Sequence, residues 1–348
     1  MRPQVVLADP FGSVDDVRRG LGPVEVDVVA ADAIAPGAIP SGAGVVALLV
    51  GPETPVTTAH LDALPGLRIV AATSAGTDHV PVEEVTARGA WVTSAAGYCT
   101  DEVAEHTIAL VTGLLRGTVA LDRAVRAGRW SVPEVRPRRV AGSVLGIVGF
   151  GAIGRAVAAH AVALGLRVLA YPGPREPAAA GSQRPSATDA GPSAAPATGS
   201  RPVAGTGVEV AAPGVEIVAQ LGELLARADV VSLHVPARPG AGPVLDAEAI
   251  ARLRPGAFVV NVARGSVLDT TALGAALRDG RIAGAALDVL PVEPPPPDDP
   301  VRAFPHTVLS PHAAWYSAEA AVRPYVWAGR AVADVLAGRV PERVVGRP

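Results

Sequence analysis

Apolar residues fall in two rhythms along this chain. Runs that are apolar at most positions, QVVLAD (4–9), VEVDVVA (24–30), GVVALLV (44–50), LRIVAATS (67–74) and AWVTSA (90–95), predict short buried strands. Between them, TTAHLDAL (57–64) and PVEEVTARG (81–89) predict helices, the second opening on Pro81 and closing near Gly89. This alternation predicts an α/β unit with a parallel sheet. A long helical stretch follows over 100–128, with Thr100 suited to cap it and Asp101 and Glu102 in its first turn. The alternation resumes at Gly142. VLGIVGF (144–150), RVLAY (167–171), DVVSLHV (229–235), AFVVNVA (257–263), AGAALDV (283–289) and TVLSPH (307–312) read as strands. A helix is predicted over 151–165, with Ile153, Val157, Ala161 and Leu164 on one face, and a last one near 317–337.

One segment breaks the rhythm. Residues 172–214 are dominated by Pro, Ala, Gly, Ser and Thr, a composition that buries too little surface to offset ordering entropy. The reading is a flexible insertion over 173–207, too long for an ordinary connection. A length of 348 residues suggests about two domains, and 49% hydrophobic residues suffice for sizeable cores. The net charge of −3 carries no nucleic-acid or polybasic membrane signal. Cys99 is the single cysteine, which excludes an intramolecular disulfide and a cysteine metal cluster, and no metal site is expected. Every Lys/Arg position is Arg, which excludes lysine Schiff-base chemistry. The N-terminus reads as a first strand rather than a signal peptide, and no apolar run approaches the roughly 18 residues of a membrane span. A cytoplasmic protein is the default expectation.

The chemistry concentrates in two places. GFGAIG (149–154) joins an apolar strand to a helix, the context that a dinucleotide fingerprint requires. Gly149 permits the turn, Gly151 lets the backbone approach a pyrophosphate, and Gly154 lets helix and strand pack closely. Ala152 and Ile153 open the helix, whose N-terminal N–H groups favour phosphate. Downstream stand Arg264 in NVARG, Glu293 in LDVLPVEP and His312 in SPHAAWYS. They supply a cation, an acid and an imidazole, a residue type that titrates near about 6.5. Such a set beside a hydride-carrying dinucleotide points to an oxidoreductase of small oxo or hydroxy acids.

SAGTDHV (74–80), YCTDEVAEHTIAL (98–110), GSVLGIVGFGAIG (142–154), RADVVSLHVP (227–236), RPGAFVVNVARGSVLD (254–269), GRIAGAALDVLPVEPPP (280–296) and LSPHAAWYS (309–317) occur in a fixed order. Over nearly its whole length the chain resembles the D-isomer-specific 2-hydroxyacid dehydrogenases, and its PHAAWYS ending most resembles their C-terminal-binding-protein branch. The resemblance implies two doubly wound parallel-sheet domains. A Rossmann cofactor domain (99–312) would be inserted into a flavodoxin-like substrate domain (1–98 plus 313–348), with the active site in the cleft between them. It also implies a homodimer, built on the 100–128 helix.

The same resemblance implies residue roles. Arg264 anchors the substrate carboxylate and carbonyl, His312 is the acid/base, and Glu293 pairs with His312. Ser74, Ala75 and Gly76 match a turn whose N–H groups hold the substrate carboxylate, and Trp315 matches an aromatic near the substrate pocket. Asp288 matches a nicotinamide-carboxamide contact, and His234 lines the adenine side. His79 and His106 match no role and read as structural. Tyr171 ends the strand at which an adenosine ribose would sit, but Pro172 and Gly173 stand where the family carries an acid for the NAD ribose. Arg175 lies nearby and suits a 2′-phosphate, so NAD and NADP both stay open. Val262 replaces a frequent Thr, which leaves backbone contact with the cofactor. Two functions follow: NAD(P)H-dependent reduction of a 2-oxo acid to a D-2-hydroxy acid, or the reverse, and, as the alternative, a non-catalytic dinucleotide-sensing regulator. The triad of Arg264, Glu293 and His312 favours the enzyme.

Overall fold

The structure is a computed structural model, described for residues 2–31, 42–132, 136–173, 214–238 and 240–348. Residues 174–207 of the expected insertion, Arg175 among them, lie outside the described residues. The chain divides into two compact units, residues 1–103 with 315–348, and residues 104–314.

The first unit opens with β1 (Gln4–Ala8), α1 (Val14–Leu21), β2 (Asp27–Ala30), β3 (Val45–Val50), α2 (Thr58–Asp62), β4 (Ile69–Ala72), α3 (Val82–Ala87) and β5 (Trp91–Thr93). The first turn of α4 (Thr100–Arg116) belongs to it, and the rest of α4 begins the second unit. That unit continues through α5 (Thr118–Arg126), β6 (Val144–Val148), α6 (Ala152–Ala163), β7 (Arg167–Tyr171) and β8 (Val215–Ile217). There follow α7 (Leu221–Arg227), β9 (Val230–Leu233), α8 (Ala247–Arg252), β10 (Phe258–Asn261), α9 (Thr270–Arg278), β11 (Gly284–Leu287) and β12 (Thr307–Leu309). The chain then returns to the first unit with α10 (Arg323–Leu336) and β13 (Val344–Gly346).

In the first unit the sheet runs β13-β5-β4-β3-β1-β2, parallel except for β13. The order 2-1-3-4-5 of its parallel strands is the flavodoxin-like winding. Neighbouring side chains leave a strand on opposite faces, which explains its two cores. Val5 and Leu7 pack with Tyr325 and Val332 on one side, while Val6 packs with Leu48, Val70 and Val85 on the other. In the second unit seven parallel strands run β12-β11-β10-β9-β6-β7-β8. This is the Rossmann winding, and its order reverses between β6 and β9. Ligands in such sheets sit beyond the strand ends at that reversal.

Several elements differ from the sequence expectation. The 100–128 stretch is two helices, because Gly117 takes a left-handed φ of 65° between them. The first unit extends to Val103 because Glu102 of α4 accepts hydrogen bonds from Ser317 and Arg323. The strand expected over 307–312 stops at Leu309, and the last helix starts at Arg323, with Pro324 in its first turn.

Candidate active site

The glycine fingerprint spans the end of β6 and the start of α6. Gly149 has φ 96°, and a Cβ there would lie 2.3 Å from the carbonyl oxygen of His234. Its N–H donates to the Tyr171 carbonyl at 2.8 Å. A Cβ on Gly154 would lie 2.2 Å from the Gly149 carbonyl, so helix and turn are in backbone contact there. Gly151, the N-cap of α6, is different: a Cβ on it would meet nothing within 4 Å. No side chain caps this helix, and its first turn carries no acid. An open approach to uncapped N–H groups fits a dinucleotide pyrophosphate.

A second frame is built where β10, β11 and β12 end side by side. Asn261 closes β10 and is fully buried. Its side-chain oxygen accepts from Ala263 N–H at 3.1 Å, its amide donates to the Arg264 carbonyl at 2.9 Å, and its own carbonyl accepts from Asp288 N–H at 2.9 Å. Arg264 is thereby held in extended backbone, half-buried, with a guanidinium N–H on the Ala263 carbonyl. A Cβ on Gly265 would lie 2.0 Å from the Leu290 carbonyl carbon, so this turn packs directly on the Leu290–Pro291 backbone. From there Glu293 Oε1 accepts from Leu290 N–H at 2.7 Å, and Oε2 lies 2.7 Å from His312 Nδ1.

His312 sits in a turn shaped by Asp288. The backbone at His312 is left-handed, φ 52°, which costs about 1–3 kcal/mol for a non-glycine residue. The Asp288 carbonyl accepts from His312 N–H at 2.7 Å, and its carboxylate accepts from Ala313 and Ala314 N–H at 2.9 Å each. Three consecutive amides gathered on one buried residue hold that conformation. The Asp288 side chain is fully covered by protein, and its carboxylate accepts from Ser310, Ala313 and Ala314 in the 310–314 segment.

Partial burial pushes the Glu293 carboxyl up, but the His312 and Leu290 hydrogen bonds, with the His312 and Arg264 charges, outweigh it and hold it below the usual carboxylate value. A carboxyl so depressed contributes stability above the unfolded glutamate range, near about 4.3, and loses it as pH falls through the lower folded value. Glu293→Gln is thus expected to lower stability in urea at neutral pH, and the gap to wild type should close in acid. A gap of the same size at both pH values would overturn this.

The other expected site residues are distributed as follows. Burial pushes the His234 ring down to about 4, so it is neutral at neutral pH, with Nε2 2.9 Å from Ser232 Oγ beside the glycine turn. The Tyr171 ring packs on the hydrophobic cluster of the second unit, and Val262 is buried just past β10. Ile153 is half-buried and Ala152 exposed at the start of α6. In the first unit, Ser74 Oγ donates to the Gly76 carbonyl at 2.7 Å. The N–H groups of Ala75 and Gly76 meet no acceptor among the described residues. Trp315 packs against Tyr98 and Tyr316 at ring-centroid distances of 6.1 and 5.3 Å. Asn261, Gly265 and Ser310 were missed in the sequence, although an Asn directly after an apolar run is a turn-forming signal. Among the described residues no helix is long and apolar enough to cross a membrane.

Comparison with known proteins agrees with this geometry. The family model described as D-isomer specific 2-hydroxyacid dehydrogenase, NAD binding domain, matches residues 108–191 and 197–314. A glyoxylate reductase from Thermofilum pendens is 33% identical over 291 residues, 82% of this chain and 77% of that protein. A crystal structure from Thermus thermophilus is 31% identical with a TM-score of 0.77, covering 98% of this chain and 99% of the other. An NADPH-dependent glyoxylate/hydroxypyruvate reductase from Sinorhizobium meliloti, solved with NADP and malonate, is 25% identical with a TM-score of 0.78, covering 100% and 99%. These likenesses do not single out the C-terminal-binding-protein branch. With the Rossmann winding, the glycine turn and the Arg264, Glu293 and His312 frame, they establish that the chain belongs to the D-isomer-specific 2-hydroxyacid dehydrogenase family.

Proposed function

We propose that this chain is a nicotinamide-dinucleotide-dependent oxidoreductase that reduces a small 2-oxo acid to a D-2-hydroxy acid, or runs the reverse reaction. The observation that carries the reading is the 2.7 Å contact between His312 Nδ1 and Glu293 Oε2, in a frame shared with Arg264. Glu293 accepts the Nδ1 proton, so Nε2 is the atom that delivers a proton to the substrate carbonyl oxygen in reduction and takes it back in oxidation. Arg264 binds the carboxylate and carbonyl through charge-assisted hydrogen bonds, fixing the C2 carbon for transfer. The bound dinucleotide supplies or accepts the hydride. The backbone of Gly149–Gly154 would hold its pyrophosphate, and Tyr171, His234 and Val262 would line the remainder of the dinucleotide site.

The cofactor preference and the assembly belong to the same proposal. Among the described residues the tip of β7 carries Tyr171-Pro172-Gly173 and no acid for a ribose, so NADPH is tried beside NADH. A homodimer is supported by large apolar side chains in the open on and just after α5, with Val125 48%, Trp130 90% and Val132 72% exposed. Two of the relatives compared, those from Thermofilum pendens and Sinorhizobium meliloti, are named as reductases, which favours the enzyme over the non-catalytic regulator. Glyoxylate and hydroxypyruvate, after which those relatives are named, head the panel to be tried.

The test is steady-state oxidation of NADH and of NADPH against a panel of 2-oxo acids. Turnover with chiral product of D configuration supports the proposal. No turnover with either dinucleotide, together with tight dinucleotide binding, would move the reading to the sensor. The glycine turn offers a separate check. Gly151→Ala has room in the protein, so it should fold normally yet weaken dinucleotide binding measurably in a fluorescence titration. Gly154→Ala must displace the Gly149 carbonyl and should also destabilise the fold, by about 1–3 kcal/mol. Equal binding in Gly151→Ala and wild type would place the pyrophosphate elsewhere.

A further inference from the structure

His106 lies on α4, outside the strand-end frame, and no step described above uses it. Its Nε2 is 3.3 Å from Ser310 Oγ and 3.7 Å from Asp288 Oδ1. Ser310 Oγ in turn donates to Asp288 Oδ1 at 2.5 Å. A serine hydroxyl has one hydrogen, and here Asp288 receives it. Ser310 Oγ can therefore only accept from His106, which requires the proton on Nε2. The chain of donors runs one way: His106 N–H to Ser310 O–H to the Asp288 carboxylate. That carboxylate also gathers the amides of Ala313 and Ala314, on either side of which the turn carries His312 and the returning chain.

From this juxtaposition we infer that His106 is a positioning residue for His312, acting through Ser310 and Asp288. The inference rests on the proposed role of His312 as acid/base. Each donor on the Asp288 carboxylate restrains its rotation, and the carboxylate restrains the left-handed turn that aims the His312 ring. His106 is 28% exposed while the Asp288 side chain is fully covered, so the relay ties the buried clamp to α4. Hydrogen-bond chains of this kind strengthen cooperatively in a low-dielectric setting. A displacement of about 1 Å at a reacting group is enough to cost on the order of a hundredfold in rate. The relay is one of several restraints on the turn, so a smaller loss, about tenfold, is expected when it is cut.

The experiment compares wild type with His106→Ala, Ser310→Ala, the double variant and His106→Gln. Readouts are kcat, KM for the 2-oxo acid, dinucleotide affinity, the pH profile of kcat, and amide exchange at residues 312–314. The expected result is a fall in kcat of about tenfold in each single variant, with dinucleotide affinity unchanged and faster exchange confined to 312–314. The double variant should be no worse than either single one, because both cut the same chain. Gln presents an N–H near the place of Nε2 and should restore much of the rate. Single variants within twofold of wild type, or effects that multiply in the double variant, would overturn the inference. If wild type itself does not turn over 2-oxo acids, the proposed function fails, and amide exchange then decides the relay alone. Exchange at 312–314 unchanged by His106→Ala would dismiss it.

Discussion

His312→Ala is expected to lower kcat for 2-oxo acid reduction by about 10²–10⁴-fold while dinucleotide affinity stays at its wild-type value. Glu293 occupies Nδ1 at 2.7 Å, which leaves Nε2 as the ring atom for the substrate oxygen. The backbone conformation that aims the ring is made by Asp288 through three amides and does not depend on the imidazole. Alanine should therefore remove the proton donor without collapsing the turn, and the glycine turn at Gly149–Gly154 involves separate strand ends. The measurement is NAD(P)H absorbance for kcat and nicotinamide fluorescence for binding. A loss smaller than tenfold would mean that another group, or water, delivers the proton. Loss of dinucleotide binding would instead mean that the turn had collapsed.

Arg264→Ala should cost about 2–5 kcal/mol in kcat/KM for the 2-oxo acid, with KM and kcat both affected. The reason is that the guanidinium is asked to do two things, to bind the carboxylate and to fix the carbonyl. Arg264→Lys keeps the charge and loses the planar fork, so it should recover only a minor part of the rate. The backbone at 261–264 is held by Asn261, so neither change need disturb the neighbouring Glu293 and His312 pair. Kinetics over a range of oxo acid concentrations separate the outcomes. A lysine variant close to wild type would show that charge alone suffices and that Arg264 does not orient the carbonyl.

The expected strands of both units appear because buried parallel strands are apolar at nearly every position, a local and unmistakable signal. GFGAIG was legible for a similar reason. Each of its glycines answers a steric demand that spans a few residues: a positive φ, an open face, a close packing. The helix α1 was not, since only Val17 and Leu21 are buried in a short polar run. Likewise α7, α8 and α9 are short, and β8 and β13 have three residues each, too few to establish a period.

Arg264, Glu293 and His312 could be named from the sequence because their motifs are local, and residue type limits what each can do. Their assembly could not. It depends on β10, β11 and β12 lying side by side, a pairing of segments far apart in the chain. Asp288 shows the difference most plainly. Its motif gives no sign that in the fold its carboxylate is enclosed and accepts from the amides of the turn that carries His312. His106 stands 204 residues from Ser310 in the sequence, and only the fold brings them together. The sequence by itself thus determined the alternation of strands and helices in two α/β units, the dinucleotide turn and the reactive residue types, because these follow from local sterics and side-chain chemistry. Tertiary structure alone decided which backbone groups hold those residues, because hydrogen bonds between strand ends and distant helices leave no periodic trace in the chain.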